Sequence, residues 1–193
     1  MRKNRSLILG ISLFLFPCIV FADAGVPMVF LGFPFMLAVF IPVCALEIYI
    51  LSRAMNLAPK FVSKPVIIAN SVSTLFGYPL SWLFLLLVEE ITTGGKVLQF
   101  SDFWNSVGSV TLQAAWLIPY ESDLYWMVPV AGIVGLLPAY FISVWLEFLV
   151  LKKVSVKNII FHKKDVRNAN LASYAFLLLI LVIILIVAIL KPK

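Results

Sequence analysis

The chain has 193 residues, 63% of them hydrophobic and 12% charged, and a mean hydropathy of +1.07. Soluble domains carry about 45–50% apolar and about 25% charged residues, so a water-soluble fold would have no polar surface to show. The formal charge of +6 comes from basic residues dispersed between apolar runs, which speaks for membrane topology signals and against a phosphate-binding patch or a nucleic-acid partner.

The N-terminus has the build of a secretory signal peptide over residues 1–22. Met1-Arg2-Lys3-Asn4-Arg5 is a basic n-region, Leu7 to Phe16 an apolar h-region, and Val20-Phe21-Ala22 a small-x-Ala cleavage site before Asp23. An uncleaved anchor is the alternative, and either case sends residue 23 outside. Cys18 stands in this segment without a lipobox, and Cys44 stands in an apolar run, so no disulfide or metal framework is expected.

Four apolar stretches then reach the roughly 20 residues needed to cross about 30 Å of hydrocarbon. They are Met28 to Ser52, Val66 to Val88, Val128 to Leu151 and Ala169 to Leu190. Residues 53–65 carry Arg53, Lys60 and Lys64, and residues 152–168 carry Lys152, Lys153, Lys157, Lys163, Lys164 and Arg167, which assigns both loops to the cytoplasm. Residues 89–127 carry Glu89, Glu90, Asp102, Glu121 and Asp123 against Lys96 alone and belong outside; Lys191 and Lys193 at the outer C-terminus dissent.

An offset of 100 residues exposes an internal repeat. Laying residues 46–79 on 146–179 matches Leu46, Glu47, Leu51, Phe61, Lys64, Val66, Ala69, Asn70, Ser73 and Phe76, which is ten identities in 34 positions, where composition predicts about three. The expected fold is an all-α membrane protein of two tandem hairpins, residues 23–88 and 128–193. Both run outside to inside to outside, so the repeats are parallel, related by a pseudo-twofold axis along the membrane normal.

The polar matches carry the chemistry. Glu47 lies six residues before Arg53 and Asn70 six after Lys64, a pattern repeated by Glu147, Lys153, Lys164 and Asn170, so each polar group sits about 9 Å inside the basic line. Ser73 and Ser173 follow their Asn by three positions, on the same face one turn deeper. The expected arrangement is two clusters, one per hairpin: Glu47 with Asn70 and Ser73, and Glu147 with Asn170 and Ser173. A carboxylate accepts what an amide and a hydroxyl donate. Arg167 precedes Asn170 by three and stands where the first hairpin has Ile67; it is expected to salt-bridge Glu147 and leave Glu47 as the carboxyl better placed to titrate.

The bland reading of such clusters is an interhelical clamp, worth about 0.6 to 2 kcal/mol per hydrogen bond, in a structural or assembly subunit. The functional alternative is a small channel or secondary transporter for a proton, ion or small solute using Glu47 and Glu147, because a charged residue in a membrane helix costs on the order of 3 kcal/mol even on lenient scales. Pro34, Pro42, Gly77, Pro79 and Pro138 interrupt the helices and free backbone carbonyls, as packing kinks or as the lining of a wet cavity. Leu177 to Leu190 is almost uniformly aliphatic and is expected to face lipid over much of its length.

Between the hairpins, Phe103, Val107, Val110, Ala114 and Leu117 recur at helical spacing, interleaved with the polar Asp102, Asn105, Ser106, Ser109 and Gln113. This predicts an amphipathic helix over 102–117 lying on the outer leaflet and anchored by Trp104, Trp116, Tyr120, Tyr125 and Trp126; a lid over a cavity would have the same pattern. Thr92-Thr93-Gly94-Gly95-Lys96 lacks the full phosphate-loop pattern and reads as a turn. His162 stands alone in a basic loop, and Ser73 with Glu47 is a poor nucleophile pair without His or Lys, so no metal, no cofactor and no enzymatic activity are expected.

Asp23-Ala24-Gly25, Glu47-x-x-x-Leu51, Ala69-Asn70-x-x-Ser73-Thr74 and Gly77-x-Pro79 resemble segments of small uncharacterised bacterial multi-pass inner-membrane proteins. The likeness covers mainly the first hairpin. It implies a bacterial inner membrane and no particular activity. Expected partners are the lipid bilayer and another membrane protein or a second copy of the chain.

Overall fold

The computed structural model describes residues 26–94, 103–117, 124–154 and 159–190. The signal-peptide segment, Lys96, Asp102, Glu121, Asp123, Lys157 and the last three residues lie outside them. The helices are α1 (Met28–Ala54), α2 (Pro59–Val72), α3 (Tyr78–Thr93), α4 (Phe103–Leu112), α5 (Leu124–Val154) and α6 (Lys163–Leu190), with a π-turn (Ser73–Gly77) joining α2 to α3. Because α2, the π-turn and α3 run on as one helical segment, Pro59–Thr93, four helices are long and apolar enough to cross a membrane. The chain is thus built as a multi-pass membrane protein, in which helices satisfy every backbone group internally.

The helices extend beyond the apolar stretches. The second span begins at Pro59 instead of Val66 and the fourth at Lys163 instead of Ala169, so Lys60, Lys64, Lys163, Lys164 and Arg167 ride on helix ends. Hydrophobic runs mark where lipid lies, but a helix stops only where its backbone must turn. Asn56 does this for α1, with φ 52 in the left-handed region, while Leu57 N–H closes on Ser52 O at 3.0 Å. Pro59 then restarts the helix at a position that needs no N–H donor.

The four spans form a ring. Helix α1 packs on α2 and α6, and α5 packs on the same two, so α1 and α5 stand diagonally. At the end nearest the α1–α2 turn the core holds Leu51, Val66 and Ala69 with Leu151, Val166 and Ala169, together with Val62 and Phe161. Both alanines are fully buried, and their small side chains let helix backbones approach closely. The large exposed hydrophobics, among them Leu178, Leu179, Ile183 and Ile186 of α6, form the outward surface that lipid covers.

At the opposite end, helix α4 is docked on the bundle through Val110, with Ala114 of the turn after it, against Met28, Met127 and Ala131. It is shorter than the expected 102–117, and Ser109 and Gln113, expected on its wet face, are buried at 3% and 4% exposure. After it, Trp116–Leu117 (β2) pairs antiparallel with Val26–Pro27 (β1), and Ala115 O accepts both Met28 N–H at 3.0 Å and Trp82 Nε1–H at 2.9 Å. That carbonyl ties the α4 segment to the first residue of α1 and to α3, the position of a lid.

Candidate functional site: a ring of carboxyl hydrogen bonds

Glu47 on α1 and Glu147 on α5 point into the centre of the bundle, with 1% and 3% exposure. Helix α2 brings Asn70 and the adjoining π-turn brings Ser73; α6 brings Asn170 and Ser173. Asn70 Nδ2 donates to Glu47 Oε2 at 2.7 Å, and Asn170 Nδ2 to Glu147 Oε2 at 2.6 Å. The serines cross over: Ser73 Oγ donates to Glu147 Oε1 at 2.7 Å and Ser173 Oγ to Glu47 Oε1 at 2.6 Å. Each carboxyl oxygen therefore receives one side-chain donor, and the four bonds bridge α1 to α2, the α2–α3 segment to α5, α5 to α6, and α6 to α1. The ring is closed.

The crossing corrects the expectation of one self-contained cluster per hairpin. Three residues along a helix is a rotation of about 300°, so an Asn and the Ser three positions on are splayed by about 60°. With α1 on one side of α2 and α5 on the other, that splay is enough to send the amide to one neighbour and the hydroxyl to the next. Both amide hydrogens of each Asn are used: Asn70 Nδ2 also donates to Val66 O at 3.1 Å and Asn170 Nδ2 to Val166 O at 3.2 Å, which fixes the amide planes.

Arg167 does not join the ring. Its side chain is exposed, as are those of every other described Lys and Arg and of His162, and Glu147 has both oxygens occupied by Asn170 and Ser73. On α6 the buried positions are Val166, Ala169, Asn170, Ser173, Leu177 and Leu181, and a residue one step beyond Val166 is turned about 100° from it, off that buried face. The expected difference between a neutralised Glu147 and a free Glu47 therefore has no basis in the geometry.

The surroundings add residues that repeat matching passes over. Ser143 Oγ and Tyr174 Oη are hydrogen-bonded at 2.8 Å, and Tyr78 Oη donates to Met28 O at 3.1 Å. Neither pair recurs 100 residues away, where Val43, Thr74 and Leu178 stand. The π-turn ends at Gly77, whose added Cβ would come within 3.3 Å of Leu146 Cδ1, so α3 starts in close approach to α5. Pro79, without an N–H, stands two residues on, and Ser81 Oγ donates to Gly77 O at 2.7 Å, taking up a carbonyl that the irregular turn exposes.

Two neighbouring voids lie between the spans. The larger, about 200 Å³, is walled by all four spans in the half nearest α4, with Gly32, Trp82, Gly135 and Leu181 among its lining and Ala114 at its roof. The smaller, about 30 Å³, is bounded by Glu47, Glu147, Asn70, Ser73 and Ser143. Met36, Tyr78, Ala139 and Tyr174 line both and stand between them. Cys44 is buried and unpaired, and among the described residues no group of three His, Cys, Asp or Glu side chains is placed to hold a metal ion. Comparison of the chain with protein-family models, with curated proteins and with solved structures returns no match.

Proposed function

We propose that the protein is a structural or assembly subunit of a bacterial inner membrane, in which a duplicated hairpin is locked to its copy by the carboxyl ring. The observation that carries this reading is the closure of four side-chain hydrogen bonds over all four joints between spans. At about 0.6 to 2 kcal/mol per interhelical hydrogen bond, the ring contributes roughly 2 to 8 kcal/mol. The duplication is supported by the pairing of those bonds at an offset of 100 and by the same offset between Leu51 and Leu151, Val66 and Val166, and Ala69 and Ala169 in the core. The basic ends of α1, α2, α5 and α6 face the cytoplasm and the α4 segment lies outside. Partners are the bilayer and another membrane protein or a second copy.

A second reading, a small channel or secondary transporter, is favoured by one observation, the two neighbouring voids, one beneath the α4 segment and one beside Glu47 and Glu147. Glu47→Gln separates the two when unfolding and proton flux are measured on the same reconstituted protein. A clamp predicts lower stability and no flux in either protein; a transporter predicts flux in the native chain that the variant abolishes while still folded.

A further inference from the structure

Glu47 and Glu147 place two acids at the centre of the bundle, and no base answers them, since every described Lys, Arg and His side chain is exposed. The other titratable groups facing the pair are Cys44 on α1, Tyr78 on α3 and Tyr174 on α6. The faces of α2, the π-turn and α5 turned toward it present Asn70, Ser73 and Ser143. The two tyrosine hydroxyls are engaged, Tyr174 with Ser143 and Tyr78 with Met28 O. None of these side chains can carry a positive charge.

The ring itself has the dimensions of an anion site. Ser73 and Ser173 reach the carboxyl oxygens at 2.7 and 2.6 Å, within the roughly 2.5–2.7 Å of a hydroxyl bound to an ionised acceptor. The two Asn bonds, 2.7 and 2.6 Å, are shorter than the roughly 2.9–3.0 Å usual for N–H donors. Two full charges are another matter. The two carboxyl groups lie within hydrogen-bonding reach of each other, and an ionised carboxyl only accepts, so that contact is attractive when one of the two carries a proton to donate. Paired carboxyls in a buried site meet their mutual repulsion by sharing one proton. A larger cation bound by both would have to part them.

We propose that Glu47 and Glu147 form one proton-binding site, in which a single proton is held between the two carboxyls and a single negative charge is spread over the four ring bonds. Each carboxyl has the same donors at an offset of 100, so the proton belongs to the pair and to neither residue alone. The void of about 30 Å³ bounded by both carboxyls, Ser143 and Tyr174 has room for one water, which would be the first acceptor when the proton leaves. The site stands apart from the choice between clamp and transporter: it spares a clamp one buried charge, and it gives a transporter an exchangeable proton.

Infrared spectra of the full chain in lipid nanodiscs, carrying carboxyl-labelled glutamate, count protonated glutamates by the isotope-shifted carbonyl band of the acid. A Glu89→Gln background removes a further carboxyl with a buried, unpartnered oxygen, and acidified protein calibrates the area for every remaining glutamate. The expected result at neutral pH is one protonated carboxyl per chain, unchanged by sodium chloride. Glu47→Gln and Glu147→Gln each abolish the band, because the remaining carboxyl loses its rival and gains an amide donor. Four results overturn the proposal: no band, which means that both are ionised; a band of two carboxyls, which means a neutral ring; a band that sodium removes, which means an inorganic cation site; or a band that survives in either folded Gln variant, which means that one carboxyl is neutral by itself. If neither variant folds, the count in the parent protein and its response to sodium decide alone.

Discussion

The crossing of the two serines makes a quantitative prediction that a pair of self-contained hairpins does not share. Consider Glu47→Met, which keeps the volume and removes the acceptor, combined with Ser173→Ala or with Ser73→Ala. Ser173 Oγ lies 2.6 Å from Glu47 Oε1, whereas Ser73 Oγ spends its proton on Glu147 at 2.7 Å. A hydroxyl donating to a carboxylate is worth about 1.5 to 3 kcal/mol in water-soluble proteins, and interhelical bonds in membranes reach about 2 kcal/mol. The Glu47–Ser173 coupling should therefore be about 1 to 2 kcal/mol, and the Glu47–Ser73 coupling below about 0.5 kcal/mol. Reversible unfolding in mixed micelles, followed by tryptophan fluorescence, measures both cycles. A larger coupling for Ser73 than for Ser173 would refute the crossed ring and restore the arrangement of one cluster per hairpin.

Arg167→Ala should change stability by less than about 0.5 kcal/mol in the same assay, because the side chain is exposed; a loss of several kcal/mol would mean that it neutralises Glu147 after all. Gly77→Leu should destabilise by about 1 to 3 kcal/mol, since even the Cβ comes within 3.3 Å of Leu146, and denaturant titration of this variant against native protein reads the difference. At Gly32 an added Cβ would fall on the Tyr78 hydroxyl, so Gly32→Ala should be destabilising and partly rescued by Tyr78→Phe, which removes that oxygen; absence of any rescue would place the strain elsewhere. For the proposed topology, cysteines introduced at Asn56 and Gly94 in a background with both Cys18 and Cys44 replaced by Ala should react with an impermeant maleimide from opposite sides of sealed vesicles.

The membrane build was legible because lipid demands long apolar helices, and Met28 to Ser52 or Val128 to Leu151 satisfy that demand without reference to any neighbour. Glu47, Asn70, Ser73 and their counterparts were also legible, as polar groups at matched depth. Which serine meets which carboxyl was not, because depth and helical phase say nothing about the order of helices around the axis. That order is set by packing at Leu51, Ala69, Leu151 and Ala169 between the hairpins. Arg167 was misplaced for a related reason: sharing a face with Asn170 to within 60° counts as contact on paper, while in the bundle that 60° separates the interior from the surface. The α4 segment shows the limit of amphipathic patterning. Ser109 and Gln113 alternate with apolar residues as on a wet helix, yet both are buried, since a polar face serves equally to meet polar partners within a protein.

The ring and the axial void also explain each other's position. Small residues draw the spans together at the end nearest the α1–α2 turn, with Ala69 and Ala169 fully buried, and the ring joins all four just beyond. Toward α4 the lining changes to Gly32, Gly132 and Gly135 opposite Trp82 and Leu181, and space is left between them. A bundle fastened at one end opens most easily at the other, because local openings begin where buried apolar contacts are fewest. Hydrogen exchange should therefore be slowest in Leu46–Leu51 and Leu146–Leu151, and faster in the equally apolar first turns of α1 and α5. Glu147→Gln should collapse that gradient by loosening the fastened end. If instead the first turns exchange as slowly as the ring, the α4 segment is a second clamp, and entry to the cavity must come from between the spans.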